Sequence, residues 1–298
     1  MPDTPITHTD LSVDNGWIPV QTEGEALLRD VTVSAVEAAG RKVVMTSEVV
    51  NTPRFVANGV DVVAEHAVIP LKDATVDAVT MTAHKFANRF AISIEDEQDA
   101  IVSALDAYKR EWLSNFAIAY DNAALGVTGT GGPFESVYKT VGTDNVFATA
   151  GDLTYEDLAD VIGALEANRR GELVVIAHPS FKMGLRNLKD AAGERVVALD
   201  GVLGAGVPTL FGNEILFSYG AKTSVAYSDD PTGNPLIVVA NKRDLIVGVR
   251  SGPESMVSEA PQWENDNVEL KMRARRGFVL ADKDSARVIE LTAAASGE

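Results

Sequence analysis

The segment from Asn58 to Gly132 constrains the fold more than any other part of this chain. It starts with the extended stretch NGVDVVAEHAVIPLKDATVDAVTMTAHKF, which could barely bury itself. A long helical pattern follows, SIEDEQDAIVSALDAYKREWLSNFAIAYDNAALG, and then the glycine loop GVTGTGG. An extended stretch that leads into one long helix is typical of a subunit that completes its burial against neighbouring copies. It is not typical of a compact enzyme.

Composition and charge exclude several classes of protein. The 298 residues, 46% of them hydrophobic, are enough for one large domain or two ordinary ones. The 26 basic and 43 acidic residues give a net charge of −17, which repels phosphate backbones and anionic membranes. The absence of cysteine excludes disulfides and thiolate metal sites. The sequence has no signal-peptide pattern and no long apolar run, so we expect a soluble cytosolic product and no membrane contact.

The N-terminal part of the chain predicts a flexible arm, a helix and several extended segments. The arm covers Met1–Val20, and the helix covers about Glu23–Ala39 and ends at Gly40. Runs rich in Thr and Val predict extended segments at Arg41–Phe55, Val60–Ile69, Thr75–Ala83 and Asn88–Ile94.

One long helix is predicted to begin after Ser93 or Glu95 and to end at Gly126. Acidic residues at its start suit the positive end of the helix dipole. Its apolar positions keep spacings of three and four over about seven turns, which predicts one buried stripe on a rod of about 40 Å. These positions are Ile101, Leu105, Tyr108, Trp112, Phe116 and Ala119.

Helices and strands alternate beyond Gly151. Thr154 is expected to cap a helix that buries Leu158, Ile162 and Leu165. A buried strand, a second helix, a hairpin turn and further strands follow, at Leu173–Ala177, Pro179–Gly193, Gly212-Asn213, Thr223–Tyr227, Leu236–Ala240, Leu245–Val249, Val268–Arg275, Phe278–Leu280 and Arg287–Leu291.

The sequence predicts no catalytic, cofactor or metal site. GVTGTGG follows a helix, whereas a dinucleotide-binding loop follows a strand, so we interpret it as a structural connector. The acidic clusters fall at a helix start and in a turn, where they serve as caps or solvated residues. The four histidines have no metal-ligand spacing: His8, His66, His84 and His178. We assign His178 a capping role before Pro179.

The string VELKMRARR is the strongest charge pattern in the chain. In a strand, one face carries Val268, Leu270, Met272 and Ala274, and the other carries Glu269, Lys271, Arg273 and Arg275. Two interpretations stay open. The charged face is an ordinary solvated face, or its cations meet acids of an adjoining subunit. The candidate inter-subunit contacts are Lys271, Arg273 and Arg275 with Asp61, Glu65, Asp73 and Asp77.

Several strings, in this order, resemble the major capsid proteins of tailed bacteriophages of the Hong Kong 97 type. The string from Asn58 to Ser93 resembles that family's extension loop and returning strand, and Ser93–Leu125 resembles its spine helix. LGVTGTGGPF is similar to its glycine-rich connector. VVIAHPSFKMGLRNLKDAAGERV and VPTLFGNEILFS are similar to its strand, helix and hairpin, and SEAPQWENDNVELKMRARRGFVLADKDSARVIEL to its C-terminal region.

The resemblance implies an α+β protein with the Hong Kong 97-like major capsid fold, built from four parts. These are an N-terminal arm (residues 1–22), an extension loop (46–83), a peripheral domain with the long spine helix (23–45, 84–124 and 245–277), and an axial domain with a mixed sheet and flanking helices (125–244 and 278–298). The implied function is self-assembly as hexamers and pentamers into an icosahedral head around double-stranded DNA. The implied partners are further copies, a separate scaffolding protein, a portal and decoration proteins, with DNA contacted only weakly.

The chain departs from the family in two respects. Some members cross-link through a loop Lys and a peripheral Asn assisted by a Glu. Here His66 and Ile69 stand where the Lys is wanted and Ala274 stands near the Glu position, although Asn267 suits the Asn. Lys72 is the only spare candidate for the Lys, so no cross-link is expected. Only residues 1–45 precede the loop, which favours a separate scaffolding protein, or none, over a long cleavable segment.

Two alternatives remain open on the sequence. An encapsulin-type bacterial shell protein shares the fold and encloses cargo enzymes instead of DNA. An α/β enzyme built on residues 153–217 would need a polar cluster at its strand ends, and the sequence offers only His178 and Ser180 there.

Overall fold

The computed structural model describes residues 33–56, 60–71, 75–99, 103–150, 153–168, 171–189, 209–258 and 266–292. Several parts of the sequence prediction lie outside the described residues. They are the predicted arm, most of the first predicted helix, Asp73, Ile101, Gly193 and the glycine-rich stretch near residues 201–207.

The described residues form six α-helices and thirteen strands. The helices are α1 (Ala35–Ala39), α2 (Ile94–Asp99), α3 (Ala104–Leu125), α4 (Val137–Val141), α5 (Tyr155–Asn168) and α6 (Phe181–Asn187). The strands are β1 (Arg41–Val44), β2 (Val49–Val56), β3 (Thr75–Ser93), β4 (Val127–Gly131), β5 (Val146–Ala150), β6 (Leu173–Ala177), β7 (Thr209–Leu210), β8 (Asn213–Phe217), β9 (Ser224–Ala226), β10 (Leu236–Asn241), β11 (Leu245–Ser258), β12 (Asn267–Leu280) and β13 (Ala286–Thr292). No described helix is both long enough and apolar enough to cross a bilayer.

The three longest strands lie in a five-stranded sheet of order β1-β11-β12-β3-β2. β1 runs parallel to β11, and the other neighbours are antiparallel. Helix α3 covers one face of this sheet, where Phe86 of β3 meets Phe116 and Tyr120 of the helix edge to face. Ala274 and Phe278 of β12 belong to the same buried cluster.

A mixed six-stranded sheet of order β5-β13-β10-β6-β8-β7 forms the second layer. Every residue of β6 and β10 is buried, because the two sheet faces contribute to two separate cores. One face joins the cluster around α3, and the other packs under α5 and α6 through residues such as Leu158, Phe181 and Ile237. The short strands β4 and β9 pair in parallel as a third sheet.

Local signals predicted several elements correctly. The Thr154 side chain accepts a hydrogen bond from the Asp157 backbone N–H (3.2 Å) and thereby caps α5. Gly126 ends α3, where a Cβ would overlap the carbonyl oxygen of Lys222. In the β7–β8 hairpin, Phe211 and Gly212 have φ values of 50° and 78°, which suits a primed turn between antiparallel strands.

The single long helix predicted from Ser93 to Gly126 is wrong, because α2 and α3 are separate helices. Ser103, with ψ at 113°, is the N-cap of α3, and its side chain accepts from the Asp106 N–H. The Glu97 carboxylate accepts from both the Ser103 hydroxyl (2.7 Å) and the Ala104 N–H (3.1 Å). Capping at Ser103 therefore starts a new helix, of 22 residues and about 33 Å.

Several other predicted bounds also differ. The two segments predicted at Thr75–Ala83 and Asn88–Ile94 form the single strand β3, which ends at Ser93, because residues 84–87 pair in register with residues 273–276 of β12. The same pairing makes β12 continuous across the gap predicted before Phe278. Helix α6 ends at Asn187 instead of Gly193, and part of the GVTGTGG connector forms β4. Residues 60–71 contain no strand.

Candidate assembly surfaces

Residues 60–71, called the exposed segment below, lie almost entirely in solvent in the isolated chain. Its backbone turns at His66, whose φ is 66°, and the Ala67 N–H donates to the Ala64 carbonyl (3.1 Å). Five aliphatic side chains are between 80 and 102% exposed: Val60, Val62, Val68, Ile69 and Leu71. Single exposed apolar residues are normal, but five within one short segment indicate a surface that a partner covers.

The alternation predicted for β12 is confirmed on its apolar side. Val268, Leu270, Met272 and Ala274 are all buried, and Ala274 belongs to the core cluster that contains α3. On the other side the prediction is wrong for Glu269, which is only 5% exposed and lies 3.4 Å from the Arg89 guanidinium. Lys271 is exposed, and Arg273 and Arg275 are half-buried.

Strand pairing adds two cations that the sequence interpretation missed. Lys85 and Arg89 of β3 stand opposite Arg275 and Lys271 of β12. Residues directly opposite in a sheet share a face, so these side chains join Arg273 on one surface, called the basic face below. The pairing of β3 with β12 joins residues that are more than 180 positions apart at these cations. The sequence shows that Lys85 and Arg89 are an even number of residues apart and so lie on the same side of a strand. It does not show that β12 is the strand beside them.

Arg273 and Asp77, both candidate contact residues, have ionic partners within their own chain. Arg273 binds Glu254 of β11 with two nitrogens, at 2.9 and 3.0 Å. Asp77 lies 2.7 Å from Arg54, and the Ala78 backbone N–H and this guanidinium hold the pKa of Asp77 below its ordinary value. Asp61 and Glu65 lie in the exposed segment, and Asp73 is outside the described residues.

A buried carboxylate that the sequence did not single out joins three parts of the fold. Asp121 of α3 is inaccessible and accepts hydrogen bonds from the Ser34 hydroxyl and from the backbone N–H groups of Ala35 (2.9 Å) and Val36 (3.2 Å) at the start of α1. The Ser218 hydroxyl donates a fourth (2.6 Å). Burial raises the pKa of Asp121 to about 6, although these hydrogen bonds act in the opposite direction.

His178 has the geometry of a cap. Its Nδ1 lies 2.8 Å from the Ser180 hydroxyl and also accepts from the Ser180 backbone N–H (3.2 Å), just before α6. Burial and the charge of Lys222 lower the pKa of His178 to about 4. Both contacts are with Ser180, the N-cap residue of α6, so His178 orders the chain at the start of that helix. Among the described residues no group of three or more His, Asp or Glu side chains has metal-binding geometry.

Comparison with known proteins agrees with this arrangement of sheets and helices. The sequence pattern of the phage capsid family matches residues 21–291. A chain from Mycobacterium phage Bobi superposes with a TM-score of 0.75 at 18% identity, over 97% of this chain and 99% of that chain. One from Microbacterium phage Oxtober96 gives 0.70 at 18%, over 97% and 100%. One from a solved structure described as "Capsid of empty GTA particle computed with C5 symmetry" gives 0.67 at 15%, over 94% and 98%. The curated proteins contain no match.

The molecule is thus a shell-forming structural protein with the Hong Kong 97-like fold. The chain belongs to the phage capsid family. It is a major capsid protein, which confirms the prediction from the sequence and decides against the encapsulin-type shell protein and the α/β enzyme.

Proposed function

We propose that this major capsid protein assembles as hexamers and pentamers, and that its exposed segment is the extension loop that covers an adjacent copy. Residues 46–83 then form the extension loop, residues 23–45, 84–124 and 245–277 the peripheral domain, and residues 125–244 and 278–298 the axial domain. Residues 1–22 form the arm. The similar GTA capsid was computed with C5 symmetry, which supports a pentameric arrangement.

The observation that carries this proposal is the exposure of five aliphatic side chains in the exposed segment. Fully burying one such side chain is worth about 1.5–3 kcal/mol, so the five together supply on the order of 10 kcal/mol per copy before the cost of ordering the segment. A gain of this size matters only when another surface covers the segment. Many such contacts around a closed shell make the assembled state strongly preferred over free subunits.

Electrostatics supports the same arrangement. The basic face carries Lys85, Arg89, Lys271, Arg273 and Arg275, with Glu254 and Glu269 as its acidic members. In a chain of net charge −17 this is a local positive surface, and the exposed segment contributes Asp61 and Glu65. We assign Lys271 and Arg275 the inter-subunit role. Arg273 and Asp77 serve first within their own subunit, where ionic partners hold them.

The proposal includes no catalytic activity. His178 and Ser180 act as a cap in it, and shell formation requires no reaction. The acidic surface favours an interior that encloses DNA without binding it tightly. Assembly takes place in the host cytoplasm, with a separate scaffolding protein, a portal and decoration proteins as further partners.

A test of self-assembly compares the wild type with a double variant, Val62→Ser and Val68→Ser. Because serine removes apolar area that only a second copy covers, we expect the variant to remain as small oligomers in sedimentation velocity and negative-stain micrographs where the wild type forms shells. Val225→Ser, a substitution at another exposed valine (77%) on β9, is the matched control and should assemble like the wild type. A wild-type chain that stays monomeric at every concentration, also with scaffolding protein present, would contradict the proposal.

A further inference from the structure

Helices α5 and α6 lie on the same face of the six-stranded sheet but over different parts of it. Both pack onto the core that contains Leu158, Phe181 and Ile237. Helix α5 contacts β10 and β13, next to the edge strand β5. Helix α6 lies nearer the opposite edge, where the Lys182 Nζ is 4.6 Å from the centre of the Phe217 ring of β8. The two helices therefore border opposite flanks of the sheet.

Each of these helices exposes a pair of like charges one helical turn apart. Glu156 and Asp160 of α5 are exposed, and neither has an ionic partner within the described part of the chain. Lys182 and Arg186 of α6 are exposed as well, and Arg186 also interacts within its own subunit. Like charges four residues apart in a helix repel each other and lower its stability. Two such pairs, of opposite sign and at opposite flanks, indicate that each pair faces charges of another molecule.

A second copy of this chain is the partner that fits both pairs. The acidic flank of one copy complements the basic flank of the next copy in charge. Because the two flanks differ, the contact is head to tail, and head-to-tail contacts close into a ring when a fixed rotation relates the copies. Apolar groups accompany the charges on both sides. Phe147, on the edge strand β5, is 41% exposed, and Tyr219, just after β8, is 57% exposed.

We propose that the α5 flank of one copy packs against the α6 flank of the next copy in a ring, with Glu156 and Asp160 facing Lys182 and Arg186. This inference rests on the proposed function and specifies which surfaces of the subunit meet within a hexamer or a pentamer. The contact is separate from the one made by the exposed segment, because it uses only the six-stranded sheet and its helices. Opposite charges favour the head-to-tail order, and like charges disfavour the contact of two identical flanks.

Charge reversal in two variants tests the contact. The first variant carries Lys182→Glu and Arg186→Glu, and the second carries Glu156→Lys and Asp160→Lys. Each variant alone places like charges at every contact, so we expect both to lose the particle fraction in sedimentation velocity at low salt. A chain with all four substitutions has opposite charges at every contact again and should form particles like the wild type. Circular dichroism of dissociated subunits checks that each variant is folded.

A mixture of the two reversed variants tests the head-to-tail order. Alternating subunits satisfy every contact in a ring of six, whereas a ring of five always leaves at least one contact between like charges. We therefore expect the mixture to form sheets or tubes of hexamers, with few closed shells, in negative-stain micrographs. Closed shells at the wild-type yield would overturn the head-to-tail contact.

A matched control separates this contact from the effect of net charge. Glu95 and Asp99 of α2 are an exposed acidic pair with the same spacing, so Glu95→Lys with Asp99→Lys changes the net charge equally and should assemble like the wild type. An equal loss of particles in this control would overturn the inference.

The remaining results distinguish the contact from assembly itself. Normal particles from either reversed variant, or no recovery in the chain with all four substitutions, would overturn the contact and leave the proposed function intact. A wild-type chain that forms no particles would overturn both proposals.

Discussion

Substitution of the buried Asp121 by asparagine gives the sharpest test of how the fold is held together. Each carboxylate oxygen accepts from one backbone N–H and one hydroxyl, so Oδ1 serves Val36 and Ser34, and Oδ2 serves Ala35 and Ser218. An asparagine NH₂ in either orientation faces a backbone N–H that cannot become an acceptor. That mismatch costs about 1–3 kcal/mol at any pH.

The pH dependence separates this cost from the effect of the charge. Because the pKa of Asp121 is about 6 in the folded chain and 3.8 in the reference state, the folded state binds the proton more tightly. The stability contributed by protonation is fully present below pH 3.8 and is lost as the pH rises through about 6. Between about pH 7 and about pH 5, the wild type therefore gains about 1 kcal/mol that Asp121→Asn does not gain.

The assay is chemical denaturation of dissociated subunits, followed by tryptophan fluorescence, at several pH values. Trp112 packs against the core that contains α3, so it reports on this region. The difference in unfolding free energy between wild type and Asp121→Asn is plotted against pH, because the contributions of the other titrating groups cancel in that difference. Asp106→Asn on the same helix is the control, since Lys109 lowers the pKa of that exposed carboxyl. Parallel curves for wild type and Asp121→Asn between about pH 7 and about pH 5 would refute the reasoning.

Two further predictions concern packing and assembly. Gly126→Ala should destabilise the subunit by about 3 kcal/mol in thermal unfolding, because the added Cβ overlaps the Lys222 carbonyl. Gly163→Ala, in the open part of α5, should stabilise the subunit by up to about 1 kcal/mol. Equal effects of the two substitutions would contradict the contact with Lys222. Lys271→Glu with Arg275→Glu should block particle formation at low salt, because like charges then face each other, and unchanged particles on micrographs would exclude an inter-subunit role for these cations.

Local sequence signals predicted the elements that depend on neighbouring residues. The cap at Thr154, the hydrogen bond from the Gly126 N–H to the Asn122 carbonyl and the Gly212 hairpin each involve groups within a few positions of one another. The same kind of signal was present at Ser103, where Asp106 stands three residues later, but the spacing of apolar residues concealed it. Periodicity of three and four continues across a helix break, so it cannot by itself distinguish one helix from two.

The sequence by itself determined the class of subunit: an acidic chain without cysteine, with an exposed segment leading towards a long helix and then alternating helices and strands. Only the tertiary structure decided which charges share a surface. Lys85 and Arg275 meet across a strand pair, Glu269 is buried beside Arg89, and Asp121 is enclosed by groups about 85 to 97 positions away. Burial and register depend on pairings between distant parts of the chain. A local sequence pattern does not specify which distant strand or helix will be the neighbour.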